Sequence, residues 1–278
     1  MKTKTLLTII LAAMAIVSAS AQNRIVKQNR QVAEFTAIDA SSGWDVIIRQ
    51  GNRQSVSIEV SEELLDRAVV EVKNGTLHIY NENRNRSFSF RNMRNTTQKA
   101  YVTVTNLQKI EASGGVDIRF ETPLKTGDLE VNLSGGTDLE NLILDCNRFN
   151  GQFSGGCDAG ITFSGAKEVK ADISGGSDVK LREISARMTW ISASGGCDIE
   201  LTGKTDSLTL DASGGCDVSA SGLEAQDCTA AFSGAADGGL FVTHRLDIRV
   251  SGAADVTCKG NPRDISKSVS KSSSLTMR

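Results

Sequence analysis

The stretch that decides the fold is Val169-Lys170-Ala171-Asp172-Ile173-Ser174-Gly175-Gly176-Ser177-Asp178-Val179-Lys180-Leu181. Its apolar residues fall on every second position on both sides of a central Ser-Gly-Gly-Ser-Asp. That is the period of a strand with one buried face, and a helix would repeat near 3.6. The central pentapeptide recurs along the chain as SGGVD at 113, SGGTD at 134, SGGCD at 154, SGGSD at 174, SGGCD at 194, SGGCD at 213, SGAAD at 233 and SGAAD at 251. The spacing stays close to 20 residues, which is too short for a two-helix repeat and fits one turn of a β-solenoid. The expected fold is therefore an all-β, right-handed parallel β-helix of about eight rungs, roughly 38 Å long at the strand spacing.

Alternation carried through the pentapeptide turns its fourth position inward: Val116, Thr137, Cys157, Ser177, Cys197, Cys216, Ala236 and Ala254. All are small or medium-sized. The last position then faces out, and in-register rungs stack Asp117, Asp138, Asp158, Asp178, Asp198, Asp217, Asp237 and Asp255 into one column. Two carboxylates about 4.8 Å apart repel by roughly 0.9 kcal/mol even at the dielectric of water. The column thus calls for hydrogen bonds, raised pKa values or bound cations. Turn capping by the aspartates is the expected arrangement, as is usual for Asp beside Gly. Calcium is the alternative, although the nine-residue GGxGxD spacing of calcium-binding β-rolls is absent.

Outward from the repeat, the organisation reads as four segments. Residues 1–21 carry Lys2 and Lys4, an apolar run from Leu6 to Val17 and Ala19-Ser20-Ala21, the pattern of a secretory signal cleaved before Gln22. That run is too short to span a bilayer, and no later transmembrane segment is seen. Residues 22–112 form a β-rich region that caps the solenoid, with SSGWD at 41–45 as a degenerate copy and Asn74-Gly75 as a hairpin turn. Residues 113–260 are the solenoid proper, and the Ser/Lys-rich 261–278 is expected to be a poorly ordered tail.

The chain has 278 residues and a formal charge of −2, which gives no reason to expect nucleic acid as a partner. Arg84, Arg86, Arg91 and Arg94, with Phe88 and Phe90, make a loop suited to an anionic ligand. Six cysteines are few for an exported chain of this size. Cys197 and Cys216 fall on adjacent rungs, close enough for a disulfide, but the column they share asks for small size rather than sulfur. His78 and His244 are the only histidines, and neither lies in a catalytic motif, so no catalytic residue is assigned.

The sequence FTAIDASSGWDVIIRQG at 35–51, the Asn-Gly hairpin before Leu77-His78-Ile79, the segment Val102 to Ile110 and the iterated SGGxD resemble the auto-transporter adhesin head (GIN) domain family over roughly residues 32–260. The resemblance implies a β-solenoid head at a Gram-negative cell envelope and supplies no catalytic residues. The expected function is a non-enzymatic, exported adhesin-like protein that binds a glycan or a cell-surface protein, as a monomer or a homo-oligomer. A polysaccharide-active β-helix enzyme and a structural or signalling envelope component are the alternatives. No cofactor other than calcium is expected.

Overall fold

The computed structural model describes residues 24–82 and 96–278. The signal segment and the arginines at 84, 86, 91 and 94 lie outside the described residues. The strands in chain order are β1 (Ile25–Arg30), β2 (Ala37–Ser41), β3 (Asp45–Gln50), β4 (Ser55–Ser61), β5 (Ala68–Lys73), β6 (Thr76–Asn81), β7 (Gln98–Val104), β8 (Lys109–Ser113), β9 (Asp117–Phe120), β10 (Leu124–Lys125), β11 (Asp128–Ser134) and β12 (Asp138–Asp145). They continue as β13 (Arg148–Ser154), β14 (Asp158–Gly165), β15 (Glu168–Gly175), β16 (Asp178–Gly195), β17 (Asp198–Gly214), β18 (Asp217–Gly234), β19 (Asp237–Val250), β20 (Asp255–Lys259), β21 (Asp264–Val269) and β22 (Ser274–Met277).

These strands wind a parallel β-solenoid of about eight turns, with rungs of about 20 residues. Each rung has a flank leading into Ser-Gly-Gly and a flank leaving from Asp. On the first flank β2, β8, β11, β13, β15 and β16 pair in parallel, with Ser41 opposite Ser113, Ser113 opposite Ser134 and Ser134 opposite Ser154. On the second, β3, β9, β12, β14 and β16 do the same. The inward side chains of the two flanks meet in one continuous core, as where Phe149 and Phe163 pack edge to face at 5.4 Å.

Every fourth-position residue from Val116 to Ala254 is fully buried, as the alternation requires. The first glycine of each pentapeptide takes a positive φ, for example +101° at Gly195, where an added Cβ would lie 2.5 Å from the Gly175 carbonyl oxygen. Only glycine fits that approach. The second glycine has room, which explains Ala235 and Ala253 in the last two copies. The amide at this second position instead bonds the first-glycine carbonyl of the rung before, at 2.7 Å from Gly215 to Gly195.

The N-terminal region differs from a simple cap. SSGWD at 41–45 is a true rung, with Asp45 opposite Asp117. β6 and β7 form another rung placed outside it, pairing in parallel with β2 and β3 although they follow them in sequence. The cap proper is three antiparallel strands: β5 on β6, β4 on β7 and β1 on β4. At the far end, residues 261–278 are not a loose tail. β21 continues the first flank on β19 and β22 the second on β20, because Leu275 and Met277 extend the inward columns of Val256 and Cys258.

Candidate functional site

A solenoid with a filled core offers only its outer columns for chemistry. The aspartate column exists as expected, and the structure lengthens it to nine by adding Asp45. Its ends are held: Lys99 Nζ lies 3.4 Å from Asp45 Oδ2, and Ser274 Oγ donates to Asp255 Oδ1 at 2.6 Å. Turn capping, expected for the whole column, is not seen: the one carboxylate of the column that accepts a backbone amide is Asp237, whose Oδ1 takes the Asp255 amide of the next rung at 3.1 Å. The column's own amides bond the preceding rung, as Asp198 N does to the Ser177 carbonyl at 3.2 Å. Among the described residues, Asp138, Asp158, Asp178, Asp198 and Asp217 have no side-chain hydrogen bond and no ion pair. The Asp117 carboxyl is pushed above its ordinary value by partial burial and then by the negative charges of Asp138 and Asp45.

The turn is closed instead by the inward fourth residue. Thr137 Oγ1 donates to the Ser134 carbonyl at 2.9 Å, Ser177 Oγ to Ser174 at 3.0 Å, and the thiols of Cys157, Cys197 and Cys216 donate to Ser154, Ser194 and Ser213 at 3.1–3.2 Å. Five of the eight turns thus carry a small donor, Thr, Ser or Cys, while Val116, Ala236 and Ala254 fill the same place without one. Cys197 and Cys216 are free rather than bridged, each thiol committed to its own turn. Burial raises the thiol pKa values of Cys157, Cys197 and Cys258, and pushes Cys146 and Cys228 up to about 12. These thiols stay protonated and unreactive at neutral pH. Among the described residues no group of His, Cys, Asp and Glu is arranged to hold a metal ion.

Two depressions mark the outside. On the Ser flank a trough of about 610 Å³ crosses six rungs from Asp39 through Glu111, Asn132, Gln152 and Asp172 to Ser192. Its second wall is the serine column, whose hydroxyls lean back on the preceding rung's carbonyls at 3.3–3.5 Å and keep their lone pairs outward. The trough carboxylates are paired: Asp39 with His78 at 3.0 Å, Glu111 with Lys109 at 2.9 Å and Asp172 with Lys170 at 2.9 Å. On the Asp flank an open cleft of about 870 Å³ runs past Asp138, Asp158 and Asp178, where Gly160 leaves a gap in the column that holds Glu140 and Lys180. His244 lies 2.6 Å from Asp227 on the outer surface, so each histidine is hydrogen-bonded to an aspartate.

Sequence reasoning missed the trough. The signal was present in the outward positions two before each Ser, which run Glu111, Asn132, Gln152, Asp172, Ser192 down one wall.

A parallel solenoid with a filled core, polar outer columns and a shallow trough across its rungs belongs to the class of β-solenoid repeat proteins. Within that class, a family model described as "Putative auto-transporter adhesin, head GIN domain" matches residues 34–202 and 159–262, and this chain belongs to that family. Among solved structures it is similar to a "putative lipid binding protein" from Parabacteroides distasonis, at 20% identity and TM-score 0.68 over 91% of this chain and 96% of that one. It is similar also to a "putative adhesin" from Parabacteroides merdae, at 14% identity and TM-score 0.67 over 92% and 96%. A further "putative adhesin" from Parabacteroides distasonis aligns at 15% identity and TM-score 0.57 over 92% and 95%. At these identities the likeness concerns the fold alone. No curated protein matches the chain.

Proposed function

We propose that this chain is an exported, non-enzymatic adhesin-like head whose Ser-flank trough binds a neutral glycan laid across the rungs. The observation that carries it is the trough's lining of hydroxyls, amides and partnered carboxylates, Glu111 and Asp172 beside lysines and Asp39 hydrogen-bonded to His78. Such a surface is rich in hydrogen-bonding groups and has little net field, which suits a neutral polyol over an anionic polymer. Family membership supports the adhesin-like role and a place at the cell surface, and no described helix is long and apolar enough to cross a membrane. Repetition adds to this, since a ligand that repeats at the rung spacing can make the same contact several times.

The test is affinity electrophoresis of residues 22–278 through gels containing a neutral polysaccharide (mannan or β-glucan) or an anionic one (polygalacturonate). Retardation in a neutral gel that is lost in Gln152→Ala with Asn132→Ala is the expected result. Retardation only by polygalacturonate, or none in any gel, removes this function.

A further inference from the structure

We propose that Trp190 is the stacking platform of a pyranose subsite at the end of the trough, an inference that rests on the neutral-glycan function proposed above. Trp190 stands in an outward column whose members on either side of it are polar, Lys109, Glu130, Asn150 and Lys170 before it and Thr209 and Thr229 after it. Nothing in the packing explains an indole there. It is 36% exposed, while the other tryptophan, Trp44, is wholly buried in the first rung.

The surroundings leave its face open. The residues on the adjacent strands are Lys170 and Thr209. Threonine is short, and Lys170 Nζ is drawn aside to Asp172 Oδ2 at 2.9 Å. The one cation over an aromatic ring among the described residues is Lys259 above Phe241. The indole N–H of Trp190 likewise has no protein acceptor among the described residues, and so remains a donor for a ligand.

Position ties the ring to the trough. Ser192, which closes the trough, is two residues along the same strand and on the same face. Asp172 and Asp211 flank Ser192 on the neighbouring strands. With about 4.8 Å between strands and roughly 6.6 Å between alternate residues, the ring and these polar groups frame a patch the size of one sugar ring. A pyranose matches it: an apolar face of C–H groups for the indole and hydroxyls around the rim for Ser192, Asp172 and Asp211. An acyl chain does not, because it needs continuous apolar surface. The other exposed large hydrophobics, Ile25, Ile143, Ile265 and Val269, lie on other columns or at the ends of the solenoid.

The experiment is calorimetric titration of the wild-type protein, Trp190→Thr and Trp190→Phe with cellohexaose, mannohexaose and laminarihexaose, with circular dichroism as the control for folding. Threonine repeats the residue at the next rung and favours a strand, so the variant keeps its fold. The expected result is binding of at least one hexaose by the wild type, about tenfold weaker in Trp190→Thr and largely kept in Trp190→Phe, a loss near 1.4 kcal/mol. Acrylamide quenching of the exposed tryptophan should fall when that sugar binds. Equal affinity in wild type and Trp190→Thr overturns the subsite and leaves the glycan function standing. No binding of any hexaose by the wild type overturns both.

Discussion

The repeated rungs from residue 113 onward and the N-terminal rungs before them solve the same turn with different parts. In the repeat, glycine sits at the tight position and a small donor fills the inward one. In the first rung, Ser42 takes the left-handed position at φ 72°, and the inward place is filled by Trp44. The crowding explains the contrast: a Cβ on Gly114 would come no closer than 3.9 Å to the backbone of the rung before, whereas on Gly195 it would meet it at 2.5 Å. The approach tightens along the repeat, from 3.3 Å at Gly135 and 3.0 Å at Gly155 to 2.4–2.6 Å at Gly175 through Gly252. Regularity thus compels uniform residues, and the end of a repeat escapes that demand by using large, unrepeated side chains and antiparallel covers.

The sharpest way to break this comparison is a pair of glycine substitutions. Gly195→Ala, with a positive φ and a carbonyl in the way, should cost on the order of 4 kcal/mol or prevent folding. Gly75→Ala, with positive φ in the cap hairpin but open space around it, should cost about 1 kcal/mol. Urea unfolding measures both, and equal losses would show that stacking adds nothing to strain.

The donor ladder gives a smaller effect. Cys197→Ser keeps the bond to the Ser194 carbonyl and should change stability by less than about 0.5 kcal/mol, whereas Cys197→Val, near in size, loses that bond and should cost about 1 kcal/mol. If valine is the better tolerated of the two, size alone rules the column.

The smallest effect belongs to the aspartates. Because the folded state raises the Asp117 pKa, the folded protein holds this proton more tightly than the unfolded chain. Stability therefore falls as pH rises from the unfolded carboxyl value near 3.9 through the raised folded one. Asp117→Asn removes the penalty and should stabilise by about 0.5 kcal/mol at pH 7, with no gain at pH 3. A destabilised variant at pH 7 would mean that the carboxylate makes a needed bond. Chelator should not shift the melt, since a single outward column falls short of the 6–8 oxygen ligands calcium takes.

Much of this architecture is legible in the residues. Alternation around SGGxD placed Cys197 inward and Asp198 outward, and the period stacked them. The donor role of the fourth position was hidden because Val116, Ala236 and Ala254 break the chemistry while keeping the size. The place of β6 and β7 outside β2 was hidden because strand partners distant in sequence leave no local pattern. The last rung was masked by its Ser and Lys content, although Ile265, Val269, Leu275 and Met277 alternate there. Of the site, the same alternation that buries Ile191 and Ala193 turns Trp190 outward. Its exposure was readable, while the trough beside it needed neighbouring strands in three dimensions.

The inverted order of the first rungs also bears on how the chain reaches its native state. Neighbouring turns in the repeat join residues 20 apart, as Cys157 and Ser177 do. The first rung is held through contacts such as Gln50 to Thr122, 72 apart. Closing those long loops is the slower and entropically costlier event. A chain emerging N-terminus first can pair β2 and β3 with β6 and β7, but their other edges wait for β8 and β9, and after that each further rung has a finished edge to settle on. A ribosome or translocon that stalls before β9 is made would leave β3 with one parallel neighbour and one open edge, whereas one that stalls after it would leave a shorter solenoid whose first rung is paired on both sides.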